Sequence, residues 1–493
     1  MNINRNNITN ISQQVWQGYL ENKNLSLLKR EEMLKNIASE IEALGEELIK
    51  TAMEESNLPE GRIVGERGRT LNQLLSFAAA CKRGDWMELS IDTADANRTP
   101  PKPDLRSMMI PIGPVLVFGA SNFPLAFSTA GGDTASALAA GCSVVAKAHP
   151  GHIKTSRLVA KAISKALEKS NLSQNIFIHV EDNQTNELAT ELIKDKNIKS
   201  IAFTGSPIVG KAIWKMANER KEPIPVFAEM SSINPIFILQ EKMKTEHSSL
   251  ATLLATSINM GSGQFCTNPG LLIVLKGKET TLFLDQIIQE FSKVKPTKML
   301  NQGIADNYRK TKTHALTQPN ITLLSESSFP AEQDEVIPTI ATVEASDFIT
   351  NESLLSEVFG AFSLVVKCET IYEMEAVATF IDGQLTSTFM ATITDLIQNE
   401  RLVDLVKEKC GRLIINNVPT GVEVNNSMHH GGPWPSTTDS RFTSVGTGAI
   451  KRFIRPISFQ NYPNDLLPEA LKNENPLMLL RKVNNTLTLD SIK

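Results

Sequence analysis

The chain has 493 residues, of which 41% are hydrophobic and 21% are charged, and its formal net charge is −4. This is ordinary globular composition, and the length predicts two or three domains around a large core. A nearly balanced charge and an isoelectric point of about 6.1 argue against nucleic acid or an anionic membrane as the main partner.

Targeting and metal-binding signals are equally sparse. The N-terminus has no apolar core of a secretory signal, and no run approaches the roughly 18 apolar residues of a membrane span. The five cysteines are scattered and show no Cys-x-x-Cys pair or Cys/His ligand spacing, so we expect no disulfide framework and no metal site. These features predict a reduced, cytoplasmic protein.

The first 110 residues contain two regions with different sequence patterns. Residues 12–85 carry apolar positions at helical spacing with charged residues between them, which predicts amphipathic helices. Residues 88–110 are polar and Pro-rich, and this pattern predicts a hairpin that projects from the body.

From Pro111 to Met230 short apolar runs alternate with helical segments. Predicted strands cover 114–119, 142–148, 176–180, 200–204 and 225–230, and predicted helices cover 125–140, 155–170, 187–196 and 209–218. This order predicts an α/β fold with a mostly parallel sheet and helices on both faces. Such sheets bind ligands at the carboxyl ends of their strands. Asn122, Lys147, Gly205 and Glu229 all fall at or just after those ends.

The pattern restarts after Met230. Alternating strands and helices up to Ile415 predict a second α/β domain, and the remaining residues, richer in Pro and Asn, predict a tail. We therefore divide the chain into a first domain over 1–231 with the hairpin 88–110 inserted, a second domain over 232–433, and a tail over 434–493.

Cys266 lies between a predicted helix and a predicted strand, in a loop with Gly261, Gly263 and Gly270. Glycines permit unusual dihedrals and close backbone approach, which suits a reactive thiol. A buried structural cysteine is the alternative, and it is our interpretation of the other four cysteines.

Three polar residues of the first domain have equally plain alternatives. Asn122 is either a helix cap or an amide donor to an oxyanion. Lys147 is either a solvated strand end or a ligand of a ribose or phosphate. Ser206, after Gly205, begins a helix whose N-terminus can face a phosphate, although the usual dinucleotide fingerprint is absent.

Two acids complete the set of candidates. Glu229 ends an apolar strand and has few polar neighbours in sequence, so we expect a raised carboxyl pKa and a general base. A strand-end acid bonded to a backbone amide is the alternative. Glu357 precedes Phe359 and Gly360, a pattern consistent with a ribose hydroxyl acceptor beside a stacking ring.

In combination these residues resemble the aldehyde dehydrogenase superfamily over nearly the whole chain. The longer runs carry a narrower resemblance, to the branch of 2-oxoglutarate semialdehyde (2,5-dioxopentanoate) dehydrogenases and related NADP-preferring long-chain aldehyde dehydrogenases. These runs are Gly119-Ala-Ser-Asn-Phe-Pro, Gly131-Gly-Asp-Thr-Ala-Ser, Phe265-Cys-Thr-Asn-Pro-Gly, Pro419-Thr-Gly-Val-Glu-Val and Gly431-Gly-Pro-Trp-Pro-Ser.

The resemblance implies an aldehyde dehydrogenase-like fold, with a Rossmann-like cofactor domain, and assigns roles. Cys266 is the nucleophile, Asn122 and the Cys266 amide hold the oxyanion, and Glu229 activates water for thioester hydrolysis. Because acylating relatives that use CoA typically lack this acid, Glu229 favours hydrolysis. The cofactor residues implied are Lys147, Gly205, Ser206, Glu357 and Phe359.

The resemblance also suggests the ligands. NAD or NADP is implied, and NADP is slightly favoured because Pro150 replaces the acid that many NAD-preferring members carry three residues after the lysine. The implied substrate is 2,5-dioxopentanoate, with a broad-specificity aliphatic aldehyde dehydrogenase or an inactive binding protein as alternatives. Arg157, Arg441 and the Ser/Thr cluster 436–440 are candidate anchors for a distal carboxylate, although Arg441 is as easily structural. The hairpin implies a homodimer or homotetramer through pairing with a neighbouring subunit.

Overall fold

The structure is a computed structural model that describes residues 5–182 and 186–492. Residues 1–4, where the first domain and the N-terminal segment begin, lie outside the described residues, as do 183–185 and Lys493. Among the described helices, none is long and apolar enough to cross a membrane.

Fifteen α-helices follow one another along the described residues. They are α1 (Arg5–Asn22), α2 (Leu27–Glu42), α3 (Gly45–Ser56), α4 (Glu60–Arg83), α5 (Gly132–Ala140), α6 (Ile153–Lys169), α7 (Glu187–Lys194), α8 (Pro207–Asn218), α9 (Gln240–Asn259), α10 (Lys278–Lys293), α11 (Gln302–Leu316), α12 (Ala345–Phe348), α13 (Ile371–Phe380), α14 (Ile393–Gln398) and α15 (Glu400–Lys407). The predicted helical region 12–85 is thus confirmed as α1 to α4.

The strands form three larger sheets and one small one. They are β1 (Ser90–Asp92), β2 (Leu105–Pro111), β3 (Val115–Phe118), β4 (Val144–Lys147), β5 (Phe177–Val180), β6 (Ser200–Thr204), β7 (Val226–Glu229), β8 (Ile236–Ile238), β9 (Leu271–Leu275), β10 (Thr297–Lys298), β11 (Thr322–Glu326), β12 (Glu335–Val336), β13 (Thr339–Glu344), β14 (Phe362–Cys368), β15 (Gln384–Met390), β16 (Cys410–Ile415), β17 (Ile454–Gln460), β18 (Arg481–Val483) and β19 (Thr486–Thr488).

The first sheet is parallel, with the strand order β5-β4-β3-β6-β7. Its strands are short, apolar and buried on both faces, as parallel strands covered by helices must be. All five predicted strands are confirmed. The strand order turns between β3 and β6: β4 and β5 follow on one side of β3, and β7 follows on the far side of β6. At such a point a crevice opens at the carboxyl ends of the strands, where the candidate residues lie.

One predicted helix of this domain is shorter than expected. The sequence predicts a helix over 125–140, but α5 begins at Gly132 with Gly131 as its N-cap. The buried Glu66 carboxylate accepts the amides of Leu125 (2.8 Å) and Ala126 (2.9 Å) and so holds this backbone in turns. A tertiary contact therefore overrides the local helix propensity.

The second sheet has the order β11-β13-β14-β9-β8-β15-β16 and is parallel except where β11 pairs with β13. Strands β10 and β12 form the small antiparallel sheet beside it. The second sheet carries its own apolar core, which confirms the predicted second α/β region. Cys266 lies on the loop that enters its central strand β9.

The third sheet has the order β17-β2-β1-β18-β19. Strands β1 and β2 are antiparallel and confirm the predicted hairpin. Both outer edges of this hairpin pair with tail strands of the same chain, β17 on one side and β18 on the other. The prediction that the hairpin itself pairs with a neighbouring subunit is therefore corrected: the edges left for a partner belong to β17 and β19.

The tail also runs along the first domain before it reaches the third sheet. Met230 N donates to Ser436 O (2.8 Å) and Thr438 N donates to Ala228 O (3.1 Å), so the tail covers the edge of β7. Farther on, Arg452 Nη2 lies 2.8 Å from Asp133 Oδ1 at the start of α5, and both side chains are buried. This contact is an ion pair without the geometry of a linear hydrogen bond.

We expect Arg452→Met to destabilise the protein by about 3–5 kcal/mol, because removing one partner leaves the Asp133 charge buried and unpaired. The double variant Asp133→Leu/Arg452→Met should be less destabilised than Arg452→Met alone. Thermal unfolding measures both. Arg441→Met, at the exposed pair with Asp439, is the control and should leave the melting temperature unchanged; an equal loss there would contradict the expectation.

Candidate active site

The loop that carries Cys266 follows α9 and is shaped by left-handed backbone. Gly261, Ser262 and Gly263 all have positive φ angles. A Cβ on Gly263 would lie 2.3 Å from the carbonyl of Gly360, so only glycine allows this approach. The loop is thereby pressed against the segment that follows Glu357.

Two asparagines fasten the loop on either side of the cysteine. Asn234 Nδ2 donates to Cys266 O (2.9 Å) and to Asn268 O (3.0 Å). Asn122 Nδ2 donates to Gln264 O (3.2 Å), and its side chain is 9% exposed. Asn122 therefore does not cap a helix, and its amide has a second hydrogen free for another acceptor beside Cys266.

The thiol, an imidazole and a carboxylate meet at the carboxyl end of β7. His430 Nε2 lies 3.6 Å from Cys266 Sγ and 3.1 Å from Glu229 Oε1. Ser444 Oγ donates to Glu229 Oε2 at 3.0 Å. One side-chain atom each of Glu229, Cys266 and His430 lie within 4.8 Å of one another. Two domains and the tail thus each contribute to one cluster.

The backbone of the tail holds the imidazole in place. His430 N donates to Thr443 Oγ1 (2.9 Å), and Ser444 N donates to His430 O (2.8 Å). His430 Nδ1 has no hydrogen-bond partner among the described residues. A hydrogen on Nε2 fits the contact with Glu229, because Nε2–H can donate to the carboxylate oxygen.

The pKa of Glu229 runs opposite to the sequence expectation. Burial of this 4% exposed carboxyl raises its pKa, but the charge and hydrogen bond of His430 and the hydrogen bonds from Ser444 and Cys266 outweigh burial. The net pKa is lowered, so Glu229 is ionised at neutral pH. The expected raised pKa was wrong because these partners, above all His430 and Ser444, lie far away in sequence.

The pKa of the Cys266 thiol is raised well above its ordinary value. Burial is the main cause, followed by the charge and hydrogen bond of Glu229, while Arg69 acts in the opposite direction. The resting pair is therefore a thiol near a carboxylate. A base that can take the thiol proton lies in the same cluster, within 4.8 Å of the sulfur.

Lys147, Gly205 and Ser206 line one cleft of about 790 Å³ at the carboxyl ends of the first sheet. Pro150 also lines it. Ser206 caps α8, accepting from Val209 N at 3.4 Å, and its hydroxyl hydrogen remains able to donate. An elongated cleft with an ammonium group and a helix N-terminus fits a nucleotide cofactor with its phosphates.

Glu357 and Phe359 line a second cavity together with Gly263 and Asn268, which lie within three residues of Cys266 along the chain. Burial raises the pKa of Glu357 to about 8, with Glu229 adding to the rise and a hydrogen bond from Ser231 opposing it. The five candidate cofactor residues therefore fall in two groups, which line two different cavities.

Two arginines suggested as carboxylate anchors are elsewhere. Arg157 pairs with Glu181 (2.6 Å) at the surface, and Arg441 pairs with Asp439 while its side chain is 78% exposed. In the Ser/Thr cluster 436–440, Thr437 and Thr438 bond along the edge of β7. These suggestions are corrected, because local partners already occupy the side chains.

Several residues of the site carry no signal that sequence reasoning used. His430 and Ser444 lie 201 and 215 residues after Glu229. Arg62 and Arg69 sit in an ordinary amphipathic pattern on α4. Only a histidine pair before a Gly-Gly-Pro run could have drawn attention to His430.

The cluster also has the donor set of a metal site. One ligand atom each from Glu229, Cys266 and His430 lie within 4.8 Å of one another. Thiolate, imidazole and carboxylate are ligands that zinc accepts. In the structure, however, the three groups are joined by hydrogen bonds among themselves, which already satisfy the carboxylate.

Comparison with known proteins agrees with this architecture. The alpha-ketoglutaric semialdehyde dehydrogenase of Acinetobacter baylyi is 42% identical over 479 residues, which cover 97% of this chain and 90% of that protein. Alpha-ketoglutaric semialdehyde dehydrogenase 2 of Azospirillum brasilense is 42% identical over 457 residues, 92% of this chain and 87% of that protein.

Among solved structures, glyceraldehyde-3-phosphate dehydrogenase GapN from Methanocaldococcus jannaschii, complexed with NADP, superposes with a TM-score of 0.78. It is 19% identical and covers 93% of this chain and 94% of its own. At this identity the match establishes the shared fold. The model of the aldehyde dehydrogenase family matches residues 2–455. With two relatives at 42% identity over most of both chains, this protein belongs to the aldehyde dehydrogenase family.

Proposed function

We propose that the enzyme oxidises 2,5-dioxopentanoate, the semialdehyde of 2-oxoglutarate, to 2-oxoglutarate with NAD or NADP, through a thioester on Cys266. The names of the two relatives at 42% identity support this substrate. The observation that carries the reaction type is the cluster in which an ionised Glu229 lies within 4.8 Å of the Cys266 thiol, with His430 bonded to both. The same carboxylate can serve the thiol and, later, a water molecule.

In the first step Glu229 takes the proton of Cys266, and the thiolate attacks the aldehyde carbon. The C=O bond opens and its oxygen becomes an oxyanion. The free hydrogen of the Asn122 amide and the Cys266 N–H are the donors we assign to it. Preorganised donors of this kind stabilise charge that exists only in the transition state and the intermediate.

When bound, NAD(P)+ would accept the hydride of the thiohemiacetal on Cys266, whose carbon would then be left as a thioester. Lys147 and Ser206 would bind its ribose and phosphate, Gly205 lets the chain pass close to it, and Glu357 and Phe359 would hold the nicotinamide end. Because position 150 is a proline, it adds no carboxylate of its own to the cleft, which removes one source of repulsion against a 2′-phosphate, and we propose that NADP is preferred.

Hydrolysis regenerates the thiol. Once Glu229 has passed the proton of Cys266 to solvent, it takes a proton from water, and the water oxygen attacks the thioester carbon. The C–S bond breaks, and the Cys266 thiolate then takes the proton from Glu229. His430 and Ser444 hold the carboxylate ionised and oriented for both proton transfers. His430 and Ser444 are thus positioning residues for the base, through the hydrogen bonds at 3.1 and 3.0 Å.

The proposal extends to the domains and the assembly. We propose a cofactor domain over 1–231, a catalytic domain over 232–433 and a tail over 434–493, in a cytoplasmic homodimer or homotetramer. The uncovered edges of β17 and β19 support pairing between subunits. Light scattering on the eluting protein would measure the number of subunits.

We expect kcat/KM for 2,5-dioxopentanoate to exceed that for glutarate semialdehyde and hexanal, and NADP to give a higher kcat/KM than NAD. Steady-state production of NAD(P)H, measured by absorbance with both cofactors, tests both points. Cys266→Ala should abolish turnover, and Cys410→Ala is its control. A preference for hexanal would support a broad aliphatic enzyme, and turnover by Cys266→Ala would refute the mechanism.

Glu229→Gln should lower kcat by about 10²- to 10⁴-fold, because the base for hydrolysis is lost. Since Glu229 raises the pKa of Cys266, the pH profile of Cys266 alkylation by iodoacetamide should move to lower pH. Glu219→Gln, at an exposed acid of the same domain, is the control. An unchanged alkylation profile would show that the two groups are not coupled.

His430→Gln should move the acid limb of the kcat/KM profile to higher pH. The charge and hydrogen bond of His430 lower the pKa of Glu229; without them this pKa rises, and the ionised base is lost at a higher pH. Profiles between pH 5 and 8 measure the change. The neighbouring His429→Gln is the control, and a parallel fall of activity at every pH would contradict the assigned role.

A further inference from the structure

One face of α4 brings two arginines to the apolar wall beside Cys266. Arg62 and Arg69 are two helical turns apart. The guanidinium of Arg62 lies 4.3 Å from the ring centre of Phe123 and 4.6 Å from that of Phe265. The guanidinium of Arg69 lies 5.1 Å from the ring centre of Phe127.

Arg62 lies near the loop that carries the thiol, because its guanidinium is 4.6 Å from the ring centre of Phe265, the residue before Cys266. Burial lowers the pKa of Arg62, Arg69 and Arg412 on β16, and the charge of a Cys266 thiolate opposes this effect in each case. None of the three lines the cleft of Lys147 and Ser206 among the described residues. We assign them to the aldehyde side of Cys266.

The positive charge here exceeds its local compensation. The nearest acid, Glu66, lies 3.7 Å from Arg62 Nε, but its Oε1 already accepts the amides of Leu125 and Ala126. Arg412 Nη2 donates a hydrogen bond to Pro419 O (2.8 Å). Arg69 Nε and Nη2 are buried without a hydrogen-bond partner among the described residues.

Buried donors of this kind are costly unless a ligand satisfies them. A guanidinium with two free donors in one plane matches a carboxylate, which accepts two parallel hydrogen bonds. The phenyl rings fix the guanidinium planes and exclude water, and both effects strengthen binding of an anion.

We propose that Arg62 and Arg69 bind the 2-oxocarboxylate end of the substrate while its aldehyde end reacts at Cys266. This assignment rests on the proposed function and identifies the residues that select an anionic aldehyde. Arg69 contributes the free Nε and Nη2 pair, and Arg62 supplies a second positive charge on the same wall. Arg412 adds to the positive potential while it holds the loop at Pro419.

The test compares 2,5-dioxopentanoate with pentanal, a neutral aldehyde of the same chain length. Arg62→Met and Arg69→Met should each lower kcat/KM for 2,5-dioxopentanoate by about 10- to 100-fold, mainly through KM. The kcat/KM for pentanal should fall less than that for 2,5-dioxopentanoate. Because Arg69 also lowers the pKa of Cys266, the ratio of the two kcat/KM values is the measurement.

Arg67→Met is the matched control, since Arg67 lies on the same helix but donates to Gly45 O at 3.3 Å. Its ratio should equal that of the wild type. Arg69→Lys keeps the positive charge but loses the planar pair of N–H donors, so its ratio should lie between those of the wild type and Arg69→Met. If Arg69→Met loses pentanal oxidation as well, the Arg62→Met and Arg69→Lys ratios decide whether the two arginines bind the substrate carboxylate.

Inhibition of pentanal oxidation by 2-oxoglutarate gives a second readout, and its inhibition constant should rise by a similar factor in Arg62→Met and Arg69→Met. Unchanged ratios and inhibition constants in both variants would overturn the arginine assignment and leave the proposed function intact. If the wild-type kcat/KM for pentanal equalled that for 2,5-dioxopentanoate, the proposed substrate would be overturned instead.

Discussion

A buried carboxylate that remains charged is the constraint around which the active site is built. Glu229 is 4% exposed, and burial alone favours its protonated form. Three donors oppose burial: the imidazole of His430, the hydroxyl of Ser444 and the Cys266 thiol. Since all three must be in place together, the site depends on the docking of the tail against the first domain and of the Cys266 loop against both.

Hydrogen bonds to the backbone of the tail and of the Cys266 loop hold these segments in place. The tail bonds along the edge of β7, so residues 428–444 are brought to the carboxyl end of the strand that carries Glu229. The loop of Cys266 is fastened independently by Asn234 from the second domain and Asn122 from the first. Rigid supports of this kind position reactive groups more accurately than the loops could alone.

Charge is distributed unevenly around the thiol. Glu229 and Glu357 raise the pKa of Cys266, and Arg69 lowers it. In the proposed mechanism Glu229 is the base. Arg62 and Arg69, which lie against phenylalanine rings, are the groups we propose for the anionic end of the substrate.

The sequence by itself determined the α/β architecture, the strands of the first sheet and the positions of Cys266, Glu229 and Asn122 at element ends. These follow from local patterns, namely apolar runs, helical spacing and glycine-rich turns, and from long motifs. Their periodicity fixes which residues end a strand, and parallel strands bring those ends to one edge.

Only the tertiary structure decided which partners meet there. Glu229 has a lowered pKa rather than the expected raised one because His430 and Ser444 come from more than two hundred residues away. Segment 125–131 is not helical because Glu66 takes its amides. The hairpin pairs with its own tail, and Arg62 and Arg69 face the thiol through the packing of α4. Contacts between distant segments leave no periodic trace in the chain, since each side chain also fits its local element without them.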